Sequence, residues 1–270
     1  MKIRDKMGTE RFDSLLMRYG KYVIGVLAVI VVIALAMTLR DDSAGHTDAQ
    51  QLANGVQYIR TLEARDVSEV KSQISEYRKA EMKALLEAGE LSVWDQFEDY
   101  VVLGDSRAVG FYYHGFLDES RTLAFGGATI RDVATYMDQI KALNPRNIFL
   151  CYGLNDVSIG FWDTPEEYVT EYKQVMESIW AELPDAQIYV SSILIARDPA
   201  FEQSEKWRNI PDFNDALAEM CRENGYHYVD NTDLCEQYAD LWDEDGIHVK
   251  KEFYEYWGAN LIAEVMDDES

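Results

Sequence analysis

At 270 residues the chain has room for one well-buried domain and an appendage, and not for two full-sized enzyme domains. Its formal charge of −24 is concentrated beyond position 40, where 18 Lys/Arg stand against 46 Asp/Glu, an excess that argues against nucleic acid as a partner. Cys151, Cys221 and Cys235 form no CxxC pair and no metal-ligand spacing, which removes zinc and dithiol redox roles.

In chain order, residues 1–21 are a basic leader with Lys2, Arg4, Lys6, Arg11, Arg18 and Lys21. The next 18 residues, 22–39, read YVIGVLAVIVVIALAMTL without a charge, about 27 Å of helix and long enough to cross a bilayer's hydrocarbon core. The span predicts a transmembrane helix; a cleaved signal peptide is the nearest alternative, and no small-x-small cleavage site follows Leu39. Basic residues before the span and Arg40-Asp41-Asp42 after it place the leader in the cytoplasm and the bulk of the chain outside the cell. Residues 40–95 lack proline and are rich in helix formers, which predicts a helical stalk. The spacing of Val67, Val70, Ile74 and Tyr77 suits either a short coiled coil or packing on the chain's own domain.

From residue 96 to 270, short apolar runs alternate with amphipathic stretches. Strands are expected at 100–103, 122–125, 147–152, 187–194 and 226–229, and helices near 107–117, 129–142, 165–182, 212–224 and 250–266. The alternation predicts an α/β domain: a flavodoxin-like three-layer α/β/α sandwich with a five-stranded parallel sheet. Functional groups in such sheets gather on loops leaving the carboxyl ends of strands. Cys151, inside the apolar run NIFLCY, reads as a small buried hydrophobe, whereas Cys221 and Cys235 can pair if the compartment is oxidising.

Those loops carry four short motifs. After the first strand, Gly104-Asp105-Ser106 opens a helix, where a serine meets free backbone N–H groups; a plain helix cap is the alternative. After the second, Gly126-Gly127-Ala128-Thr129 lets the backbone approach a ligand closely, or simply turn. After the third, Gly153-Leu154-Asn155-Asp156 reads as a loop with an amide able to donate to an anion. Near the C-terminus, Asp245-Gly246-Ile247-His248 sets a carboxylate three residues before a histidine, which can fix its tautomer and let it accept a serine proton. His46 in the stalk, His114 in the first helix of the domain and His227 in the fifth strand fit that role less well.

The order GDS, glycine, GxND, DxxH over residues 98–266 resembles the SGNH (GDSL-type) hydrolases, while the GxSxG of the α/β-hydrolases is absent. The resemblance implies Ser106 as nucleophile, His248 as base and Asp245 as its orienter, with an oxyanion held by the N–H groups of Ser106 and Gly127 and by the Asn155 amide. It implies no metal and no organic cofactor, and it leaves Asp105 and Asp156 as loop braces. Arg107 and Val249 depart from the commonest pattern, in which a small or apolar residue follows the nucleophile and proline follows the histidine. Arg107 is a candidate for the substrate rim, with pairing to a nearby acid as the alternative. Phe161 and Trp162, just past GLND, are aromatic rim candidates suited to a sugar ring or an acyl chain.

Location and resemblance together lead to an extracytoplasmic serine esterase acting on O-acetyl groups of cell-envelope glycans. Acyl transfer to a sugar hydroxyl, a lipid-directed esterase and a non-catalytic surface binding module stay open as alternatives.

Overall fold

The computed structural model describes residues 92–268 and a few positions between 77 and 88. The leader 1–21, the apolar span 22–39 and most of the stalk 40–95 lie outside the described residues; among the described residues no helix is long and apolar enough to cross a membrane.

Five strands, β1 (Tyr100–Gly104), β2 (Thr122–Ala124), β3 (Asn147–Cys151), β4 (Gln187–Ser191) and β5 (His227–Val229), form one sheet in the order β2-β1-β3-β4-β5. Every pairing is parallel. Among the residues described from 92 on, the helices that accompany them are α1 (Ser106–Tyr113), α2 (Val133–Leu143), α3 (Leu154–Ile159), α4 (Pro165–Glu182), α5 (Ile210–Asn224), α6 (Thr232–Gln237) and α7 (Phe253–Asp268).

Alternate residues of each strand face opposite layers. Val101, Leu103, Ile148, Leu150, Ile188 and Val190 join a core with Ile140, Tyr172, Ile179 and Leu217 from α2, α4 and α5. Val102, Phe149 and Tyr189 join a second core with Phe111 of α1 and Trp257 and Leu261 of α7. The sheet is therefore apolar on both faces, which is why its strands read as continuous hydrophobic runs. Val93 and Trp94, at the foot of the expected stalk, belong to the second core; Trp94 stacks on Phe116 with ring centroids 4.4 Å apart.

Local chemistry fixes the element ends. Thr164 accepts a hydrogen bond from Glu167 N–H, Pro165 occupies the first turn, and Glu166 and Glu167 complement the dipole, so α4 starts where the sequence predicts. Thr164→Ala would remove that cap at a cost of about 1 kcal/mol. β4 stops at Ser191, short of the expected 194, because its neighbour β5 ends at the paired residue Val229. Gly153-Leu154-Asn155-Asp156, expected as a loop, instead opens the helix α3, and α6 has no counterpart among the expected elements.

Candidate active site

The order β2-β1-β3 puts three motif-bearing loops side by side, since Gly104 is in register with both Ala124 and Cys151. Neighbouring strands lie about 4.8 Å apart, so Ser106, Gly127 and Asn155, each a few residues past its strand end, share one edge of the sheet. This edge includes the switch between β1 and β3, where open α/β sheets form their crevice.

Asp105 caps α1: it is extended, and its Oδ1 accepts the N–H of Arg107 at 2.9 Å. Ser106 is thereby the first helical residue, with a backbone N–H that the helix leaves unpaired. His248 Nε2 lies 3.0 Å from Ser106 Oγ, and His248 Nδ1 lies 2.6 Å from Asp245 Oδ2. Asp245 Oδ1 accepts the backbone N–H groups of Ile247 and His248 at 2.8 and 2.9 Å. Partial burial opposes ionisation of Asp245, but the bonds from the His248 ring and from these two backbone groups outweigh it and hold the carboxyl below its ordinary value. An anionic Asp245 selects the tautomer with the proton on Nδ1, which leaves Nε2 as an acceptor facing the serine.

The histidine sits on a tight hairpin. Trp242 and Val249 form an antiparallel bridge, His248 O accepts Asp243 N–H at 2.8 Å, and Gly246, at φ +69°, makes the turn.

The two remaining motifs are tied to one another. Asn155 Nδ2 donates to Ala128 O at 2.9 Å, and Ile130 N–H donates to Asp156 Oδ1 at 2.9 Å. A capping box between Thr129 and Asp132 closes the turn from inside. One hydrogen of the Asn155 amide is used in this way, and a second remains to donate. Gly127 stands at φ +87° in an exposed turn, a conformation that needs glycine. Asp156 is fully buried; desolvation pushes its carboxyl up to about 7, against the opposing pull of the Ile130 hydrogen bond.

Two rim candidates require correction. Arg107 is 3% exposed and turned inward, its Nη1 donating to Leu194 O at 2.6 Å and its Nη2 3.5 Å from Asp105 Oδ2, so it is not on the substrate rim. A buried carboxylate and a buried carbonyl draw the guanidinium under the helix. Of the aromatic pair, Phe161 is 51% exposed but Trp162 is buried, held by its Nε1 bond of 2.7 Å to Glu171. Arg131, which carries no motif, links them: its guanidinium lies 4.5 Å from the Phe161 ring and 4.9 Å from the Trp162 ring while pairing with both Glu171 oxygens. Phe125, just past β2, and Ile159, the last residue of α3, are also exposed.

His114 ends α1 and packs against Tyr113, Phe116 and Tyr254, and His227 pairs with Gln187. Cys221 and Cys235 are free thiols, as is Cys151, and all three are buried.

A search of curated proteins finds no match. Among solved structures, a GDSL-like lipase from Bacteroides thetaiotaomicron is 18% identical, with 71% of this chain and 100% of that one covered at a TM-score of 0.52. A lipase/acylhydrolase from Enterococcus faecalis is 17% identical, covering 64% of this chain and 97% of that one at 0.48. At such identities the first of these speaks for the fold alone. Residues 102–256 match the model of the GDSL-like lipase/acylhydrolase family, and with that match over more than half its length the chain belongs to this family.

Proposed function

We propose that the chain is a membrane-anchored, extracytoplasmic serine esterase that removes O-acetyl groups from cell-envelope glycans. The observation that carries the esterase chemistry is the 3.0 Å contact between Ser106 Oγ and His248 Nε2, backed by the 2.6 Å contact to Asp245. Ser106 Oγ attacks the ester carbonyl as His248 Nε2 takes its proton. The tetrahedral oxyanion is held by the N–H groups of Ser106 and Gly127 and by Asn155 Nδ2, each such donor typically contributing about 2.7–4 kcal/mol. His248 then protonates the departing alkoxide, leaving an acyl-serine that water, activated by the same nitrogen, hydrolyses.

Support for the anchor and its orientation is the charge asymmetry around residues 22–39. Support for a glycan is the exposed Phe161 ring, backed by Arg131 and Trp162, on the loop after Asn155. The exposed Phe125, just past β2, and Ile159, at the end of α3, favour a second reading, a lipid-directed esterase with an apolar acyl site.

The test uses the full chain in membranes. Fluorophosphonate labelling and ester hydrolysis are expected to vanish in Ser106→Ala and His248→Ala, with Asp245→Asn keeping a small remainder because orienting a base matters less than supplying it. Wild-type turnover in His248→Ala together with its loss in His114→Ala would overturn the assignment. Acetyl esters are expected to be cleaved faster than esters of eight or more carbons; the reverse order moves the reading to lipids. Protease added to intact cells is expected to digest the chain beyond Arg40, and protection of the whole domain would reverse the orientation.

A further inference from the structure

Ser106 and His248 are 142 residues apart in the chain, yet a much shorter route joins them through space. It runs through Leu194–Arg197, the segment that follows β4. On one side, Arg107 donates to Leu194 O at 2.6 Å from the residue next to the nucleophile. On the other, Trp242 Nε1 donates to Ile195 O at 3.2 Å, and Arg197 N–H donates to Gly246 O at 2.8 Å, inside the hairpin that presents Asp245 and His248. Arg197 adds a bond of 2.6 Å to Cys235 O and lies 4.7 Å over the Trp242 ring. The contact at Gly246 is so close that a Cβ there would stand 2.3 Å from Arg197 O.

We propose that Arg107 is a positioning residue: acting through Leu194–Arg197, it sets the separation between Ser106 Oγ and His248 Nε2. This rests on Ser106 and His248 being nucleophile and base. The residue type matters, because one planar guanidinium reaches Leu194 O and the Asp105 carboxylate at once, whereas a lysine ammonium is a point charge on a flexible stem. The same Asp105 caps the N–H of Arg107, and Tyr254 from α7 donates to Arg107 O at 2.8 Å, so backbone and side chain of this one residue are held from three directions. Filling space would require none of these bonds. A shift of the Leu194 segment moves the serine turn and the histidine hairpin relative to each other, and the serine–histidine contact is the quantity it changes.

The test uses the full chain with two variants, Arg107→Lys and the double substitution Asp105→Asn with Arg107→Met. The second removes both buried charges, so that no isolated carboxylate is left to unfold the domain. Turnover of an aryl acetate is normalised to sites titrated with a fluorophosphonate, and the His248 ring resonances are followed by NMR at one pH without substrate. The expected result is a fall in kcat of about 10²-fold with KM within about twofold, because small misplacements of reacting groups act on rate rather than binding. The His248 ring resonances are expected to move in both variants. Arg197→Met should give the same split, and its combination with Arg107→Lys should lose less than the product of the two, since both act on one separation. The proposal is overturned by kcat per titrated site within about twofold of wild type, by a loss confined to KM, or by fully multiplicative losses. Should the wild-type chain hydrolyse no ester, the esterase reading fails by itself, and unmoved His248 ring resonances then overturn the brace independently.

Discussion

Replacing Asp156 by asparagine tests the electrostatics behind Asn155 in the first turn of α3. The Asp156 side chain is fully buried; its Oδ1 takes the Ile130 N–H, and its Oδ2 has no hydrogen-bond partner among the described residues. Burial raises the carboxyl to about 7, whereas its ordinary value of 3.8 applies to the unfolded chain. Between those values the folded protein keeps a proton that the unfolded chain has released, so stability falls as pH rises, by about 1.4 kcal/mol per pH unit. The favourable contribution is whole below 3.8 and lost once pH passes about 7, a total of about 4 kcal/mol. Asparagine keeps the acceptor for Ile130 and never ionises. Asp156→Asn should therefore gain on wild type as pH rises, the gap widening by about 3 kcal/mol between pH 5 and pH 8. Urea unfolding followed by tryptophan fluorescence reads it, and all six tryptophans lie between positions 94 and 257, so the signal belongs to this domain. A gap that is the same at both pH values would mean that Asp156 is ionised throughout and that burial does not govern it.

Gly127→Ala places a Cβ in open space but at φ +87°, so it should cost about 1–2 kcal/mol through the backbone alone, while kcat for an aryl acetate falls at least about tenfold as the N–H swings away. Unchanged kcat would remove Gly127 from the oxyanion site. Phe161→Ala should raise KM for an acetylated glycan more than for a small aryl acetate, with Glu171→Gln following in the same direction through a loosened Arg131; equal effects on both substrates would count against a sugar platform. Burial pushes the Cys151 and Cys221 thiols up to about 12 and that of Cys235 to about 11, so the native chain should resist iodoacetamide near pH 8 and become alkylated at all three positions in urea; rapid native labelling would refute that burial.

The amino-acid sequence alone determined the strands, the main helices and which serine, histidine and aspartate the fold brings into contact. These are local properties: apolar runs such as Val101–Leu103, caps such as Thr164-Pro165, and an Asp245–His248 spacing short enough to close its own hydrogen bonds. GDS and DGIH were legible for the same reason, each being a few contiguous residues. The tertiary structure alone decided which faces those side chains present. Arg107 and Trp162 look like surface groups in the sequence, but the Asp105 carboxylate with Leu194 O in one case, and Glu171 in the other, draw them inward from elements far along the chain. Arg131 and Arg197 carry no motif, and their parts arise only where separate loops meet. The contact between Ser106 and His248 joins loops that the strand order β2-β1-β3-β4-β5 brings together, with Leu194–Arg197 hydrogen-bonded to both. No local pattern encodes that distance, because it is the sum of sheet register and loop packing over 142 residues.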